Sequence, residues 1–489
     1  MIKPKIMFLI TITILGLSIG YGAFNAELSI SGEATINGQK YKEVILNGTE
    51  PKLEEPLIPV TIEDDGTVKK ADLTSKWYSY EEKRWANAVI LKDESKTYYS
   101  GEIIPEEEIE SYFVWIPKYS YKLWDLGNYS SSTEIDESKV HSIEIRFGTV
   151  NTSDSVEGEC TTPGISGESG NCEVGDYMTH PAFLAFNTTG IWVGKFETGY
   201  DGATNQSGAQ KNTTEVDKVI VKPNVYSWRS IQIANAFTVS YNYQRELESH
   251  MMKNTEWGAV AYLSHSIYGI NDEVRINNNS SYLTGYAAVS EPTVDYPEYK
   301  DYGTSSSITR SYNTTTGYLA STTGNITGIY DMSGGANEYV MGVQVDESGL
   351  PLSGRHNIYN SGFNGTLGCP ACDIGTVSGV DSSITSITNG ISLPESKYYD
   401  AYNYNTSRFN YSGRILGDAT GEIGPFDVNN QNRPINSWHL DNAWFVNFSS
   451  FWFGRGGHYG GGSGTGIFYF GSSSGNTDGG ISFRLVFCV

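Results

Sequence analysis

The sequence predicts an α+β protein in which few short strands and two helices carry long ordered loops, behind a small β-rich N-terminal region. Three observations point there. A length of 489 residues with 38% hydrophobic and 13% aromatic content is ample for a sizeable core. Short alternations near the N-terminus, Leu28-Ser-Ile30 and Ala34-Thr-Ile36, followed by Val44-Ile-Leu46, read as strands. Beyond them, six separated motifs lie between Tyr112 and Val489, with inserts rich in Ser, Thr, Asn, Gly and Tyr between them.

The elements follow in order. Lys3 and Lys5 precede an apolar run from Ile6 to Ile19, the layout of a secretory signal or an N-terminal membrane anchor over residues 1–26. Ala23 and Ala26 are the cleavage candidates, with bulky Tyr21 and Phe24 two positions before each, so cleavage and retention both stay open. Export is expected, with membrane contact through this segment if it is not cleaved. Residues 27–110 read as a small β-rich stalk or an N-terminal extension of the main domain, and the acidic, Pro-containing stretch from Glu50 to Lys70 as a linker or solvated loop. The main domain follows over 111–489.

Charge and cysteine usage narrow the function. A formal charge of -23 argues against a nucleic-acid partner, which demands clustered Lys and Arg. Five cysteines suit an exported chain. Cys160 and Cys172 flank a Gly/Ser/Pro-rich loop that a disulfide would staple. Cys369-Pro-Ala-Cys372 has the spacing of a redox dithiol but no strand-helix context, which favours a loop-closing disulfide over a redox centre or half a zinc site. Cys488 is left over.

The motifs are Tyr112-Phe-Val-Trp-Ile-Pro-Lys-Tyr119, Gly190-Ile-Trp-Val-Gly-Lys-Phe-Glu-Thr198, Glu256-Trp257 with Ala261, Gly328-Ile-Tyr-Asp-Met-Ser-Gly-Gly-Ala-Asn-Glu-Tyr-Val340, Arg455-Gly-Gly-His-Tyr459 and Ile481-Ser-Phe-Arg484. Together they resemble the formylglycine-generating-enzyme (sulfatase-modifying-factor) family, a variant of the C-type lectin fold. The resemblance implies an opening strand at Tyr112 and a helix pair over Ser227 to Ala236 and Leu247 to Tyr262. It also implies a structural calcium ion held by Asp331, Gly334, Ala336 and Glu338, a set of oxygen donors in a compact turn. The plainer alternative is that Gly334-Gly335 makes a turn which Asp331 caps. Trp257 and Tyr339 are expected in the core, and Arg455 and Arg484 as structural guanidinium forks.

The family's catalytic members hold copper with two cysteine thiolates, as soft Cu(I) requires. Those positions fall here on Gly461 and Gly466, and no His, Cys or Met lies between Gly460 and Asp478. No copper is therefore expected, and the chain reads as a non-catalytic binding protein. The copper-dependent oxidase is the alternative that the two glycines disfavour. A structural surface or pilus-like component is another, with residues 27–110 as its assembly element.

Between Ser437 and Asp478, aromatic and polar side chains sit among Gly, Ser and Asn. Such residues make good recognition loops, since aromatic rings bring contact area at small entropic cost. The expected ligand-binding set is Trp438, His439, Asp441, Asn442, Phe451, Trp452, His458 and Tyr459. Phe468 and Tyr469 are assigned to the core. The segment resembles the variable region of retroelement-diversified proteins, which use the same lectin scaffold. The resulting expectation is a bacterial-type or phage-type protein of the cell surface whose partner is a protein or a carbohydrate.

Overall fold

The computed structural model describes residues 48–125, 140–148, 172–289, 308–345, 363, 393–411, 413–423, 435–447 and 449–489, with short strand segments at 35–36, 39–40 and 159–160. The expected signal or anchor, the Cys369–Cys372 pair and most of the long inserts lie outside these residues. No helix among the described residues is long and apolar enough to cross a membrane.

The first sheet is built from β1 (Ile58–Ile62), β2 (Val68–Lys70), β3 (Asn87–Leu91), β4 (Ile109–Pro117) and β5 (Gly190–Gly194). Leu485–Phe487 and His250–Met251 complete it on the far side of β5, giving seven strands. β4 is central because its run Tyr-Phe-Val-Trp-Ile is apolar on both faces, and such a strand is stable only between two neighbours. Its partners are antiparallel, with Asn87 opposite Val114 and Trp192 opposite Trp115.

Of the two readings of residues 27–110, the described part is joined to the main domain as an extension and is not set apart as a stalk. β1, β2 and β3 are hydrogen-bonded into the same sheet as the main domain. The physical reason is β3, whose five residues are all buried and which cannot stand in solvent. Nor is the acidic stretch from Glu50 to Lys70 a linker. Asp64-Asp65-Gly66 turns β1 into β2, with Gly66 at φ +91° and Thr67 N donating to Asp65 Oδ1 at 2.8 Å.

Two α-helices occur among the described residues, α1 (Ile233–Tyr243) and α2 (Asn254–Ser264). Both begin later than expected. α2 is buried on every side, as a helix without a polar face must be. Gly258 permits its close approach, because a Cβ there would lie 1.9 Å from Gly417 O.

The second sheet centres on β6 (Asn337–Gln344), antiparallel to β7 (Trp452–Arg455), which pairs in turn with β8 (Phe470–Ser473). β9 (Ile481–Phe483) runs parallel to β6. Arg484 alone then separates β9 from β10 (Leu485–Phe487), which belongs to the first sheet. The chain passes from one sheet to the other at that residue. Two helices with many strands in several sheets give the α+β class.

Candidate functional site

Crossing between sheets makes Arg484 the tie between them. Its guanidinium is buried and spreads over both sides. Nε donates to Glu338 Oε2 at 2.9 Å and Nη2 to Glu338 Oε1, both on β6. Nη1 donates to Gly194 O on β5 at 2.8 Å, and Nη2 also to Tyr330 O at 3.0 Å. A lone buried carboxylate would be costly, and this bidentate fork compensates it.

Two more acids crowd the same junction. Asp331 Oδ1 accepts from Asn277 Nδ2 at 2.8 Å and from Gly285 N at 2.9 Å, and Oδ2 from Gly285 N at 3.0 Å. Glu197, just beyond β5, accepts from Ala336 N at 2.8 Å and from the Ser227 hydroxyl. Burial, followed by repulsion from Asp331 and Glu338, pushes Glu197 well above the usual carboxylate range. Burial also raises Asp331, against the pull of Arg484, and lifts Glu338 to about 7. Lys195 stands apart, donating to Asn87 Oδ1, Ile326 O and Gly328 O, all uncharged acceptors.

The junction brings Asp331 and Glu338 together, as the calcium reading implies, and adds Glu197, which the sequence reading missed. The implied ligand set does not fit the ion as it stands. Calcium wants converging oxygen donors, and here nitrogen donors converge on both carboxylates. Arg484 takes both oxygens of Glu338, and the Asn277 and Gly285 N–H groups take those of Asp331. Gly334 and Ala336 shape the turn that hands Ala336 N to Glu197, with Gly334 at φ +79°. No role is derived for calcium.

Half of the expected recognition set lies in the core. Trp438, Phe451 and Trp452 are 0% exposed and Asp441 is 1% exposed. Trp452 stacks on Phe363 with ring centroids 5.3 Å apart. Trp438 packs against Trp124, His265 and Phe468. Asp441 Oδ2 accepts from Phe468 N at 2.9 Å, and burial holds this acid well above its usual range. Aromatics among small residues also describe a core in which glycine backbones admit large rings, and that packing wins here.

The other half reaches solvent. His439 and Asn442 are partly exposed, with His439 Nε2 3.0 Å from His265 Nε2. His458 is exposed and Tyr459 partly so. Tyr459 N donates to Gly335 O at 2.9 Å, which fixes this loop to the sheet junction. The Tyr459 ring meets Tyr282 edge-on at 4.9 Å, and the Arg229 guanidinium lies 3.7 Å from the centre of the Tyr282 ring. Arg229 is itself held from below by Gln206 O at 2.9 Å and by Gly479 O. The result is a pre-positioned aromatic surface. Sequence reasoning missed Arg229 and Tyr282; the one signal was that Tyr282 falls in the long insert between Asn271 and Gly324.

The glycines at the copper-thiolate positions are tightly packed. A Cβ on Gly461 would lie 2.0 Å from Thr465 Oγ1. A Cβ on Gly466 would lie 2.2 Å from both Asp441 carboxylate oxygens. Asp441 and Thr465 thus occupy the space that side chains at these positions would need.

No family model matches the chain, and no curated protein matches it.

Proposed function

We propose that the chain is an exported ligand-binding protein with a C-type lectin-like domain of the formylglycine-generating-enzyme type, whose loops rather than a copper centre form the working surface. The packing of Gly461 and Gly466 carries this reading, because the space for two thiolates is taken by Thr465 and Asp441. An oxidase of this type has no ligands for its metal without them.

The surface that remains is the cluster of Tyr282, Tyr459 and His458 over Arg229. Its rings are already ordered, so little conformational entropy is lost on contact. Its ligand is a protein or a carbohydrate, and aromatic faces beside polar loop groups suit both. The purified chain is to be screened against glycan and protein arrays, then each hit titrated with Tyr459→Ala, His458→Ala and Tyr282→Ala. Weakening by about 1 kcal/mol or more per substitution, with unchanged melting, is expected. Hits that ignore all three substitutions move the site elsewhere.

A further inference from the structure

Below the first turn of α2, the end of the chain meets a buried His–Glu pair. His250 is paired with Val486 of β10, and Cys488 follows that strand directly. Glu256 belongs to the first turn of α2. One ligand atom from each of His250, Glu256 and Cys488 lies within 4.8 Å of the other two, and all three residues are buried. This is the one such group of three found among the described residues.

The surroundings fix which atoms face inward. His250 Nδ1 lies 2.7 Å from Glu248 O, so that nitrogen carries a hydrogen and Nε2 is the one turned to Glu256 Oε1, at 3.0 Å. A ring N–H on a backbone carbonyl is the usual support of a metal-binding histidine. Glu256 is oriented in the same way, its Oε2 accepting from Lys253 N at 2.8 Å. The neighbouring charges of Lys253 and Asp400, 3.8 Å apart, offset each other.

We propose that His250, Glu256 and Cys488 supply three of the four ligands of a zinc ion that clamps the C-terminal strand to α2. Nitrogen, oxygen and sulfur together suit a borderline-soft dication. Zinc with bonds of about 2.0–2.3 Å has ligand-to-ligand edges of roughly 3.3–3.7 Å. The present spacing reaches that with small side-chain shifts. Loading releases two protons, one from the thiol and one from between His250 Nε2 and Glu256, so a dication enters with no net change in buried charge. His250 and Glu256 are 0% exposed and Cys488 6%, so no substrate reaches the metal.

Because the site is closed, the full chain is loaded by refolding with cobalt(II) as a spectroscopic stand-in for zinc. The background is Cys369→Ser/Cys372→Ser, refolded with the Cys172 disulfide kept oxidised, which leaves Cys488 as the thiol and the proposed site untouched. One equivalent of cobalt with a thiolate-to-cobalt charge-transfer band is expected. Zinc should displace it and raise the melting temperature, and adding Cys488→Ser to the same background should abolish the band. A correctly refolded Cys369→Ser/Cys372→Ser protein with no thiolate band overturns the proposal whether or not the Cys488 variant folds. So does a band that survives Cys488→Ser.

Discussion

Two stretches of the C-terminal segment share one composition and have opposite fates. Between Trp438 and Trp452, the rings of Trp438, Phe445, Phe451 and Trp452 turn inward and complete the core, whereas His458 and Tyr459 stand at the surface. The difference lies in backbone, not in side-chain type. β7 ends at Arg455, and Gly456 and Gly457 then take φ +81° and +70°, left-handed values open to glycine at no steric cost. Those two residues lead the chain out of the sheet. Aromatic content therefore says that rings will make contacts, while the glycines decide whether with the core or with a ligand.

Trp452→Ala is the strongest way to break the comparison. A large buried aromatic truncated to Ala should cost about 3–5 kcal/mol of stability in urea unfolding. An equally small loss at Trp452 and Tyr459 would erase the distinction between the two stretches.

Glu338→Ala should cost a similar amount, about 3–5 kcal/mol, because it strands the buried Arg484 guanidinium. Adding calcium to the chelated protein should leave its melting curve unmoved, since Arg484 already takes both carboxylate oxygens of Glu338. A clear rise in melting temperature on adding calcium, and not zinc, would restore the calcium reading.

The pH dependence of stability comes next. Glu422 accepts from the Tyr121 and Tyr262 hydroxyls and from Gly417 N, and burial raises it to about 7. Its contribution is complete below the unfolded value near 4.5 and is lost as pH rises through about 7. Nearby His180 is pushed by burial down to about 3, so its contribution is complete above 6.5 and is lost as pH falls toward 3. These two groups favour a stability maximum between about 4.5 and 6.5. Denaturant midpoints at unit pH steps should show the alkaline loss, and Glu422→Gln should reduce it, Glu338 with its similar value keeping part of the slope. An unchanged alkaline slope in that variant would place the proton elsewhere.

Tyr459→Ala should have the smallest effect on stability, within about 0.5 kcal/mol, since the ring is partly exposed. Thermal melts of this variant beside Trp452→Ala sharpen the comparison directly.

Local chemistry was readable where one segment determines the outcome. The run Tyr112 to Pro117 specified a buried strand by its own apolarity. The loop at His458 and Tyr459 was legible from its small neighbours. The β1–β2 hairpin was obscured because Asp64-Asp65-Gly66 reads as solvated charge until strands flank it. Glu197 and Arg229 were not legible at all. Each acquires its role only when Asp331 or Tyr282, distant in sequence, is folded against it. Cys488 looked like a spare thiol for the same reason, since His250 and Glu256 come close to it only in the fold.

The central claim is that this scaffold works through its exposed loop and not through a copper centre. It is tested most directly by titrating an array-identified ligand against the wild type and Tyr459→Ala side by side, with a copper-supplemented turnover assay on a cysteine-containing peptide. The account predicts roughly fivefold or greater weakening at equal stability, and no oxidation of the peptide. Copper-dependent turnover by the wild type, or binding indifferent to Tyr459, Tyr282 and His458 alike, would contradict it.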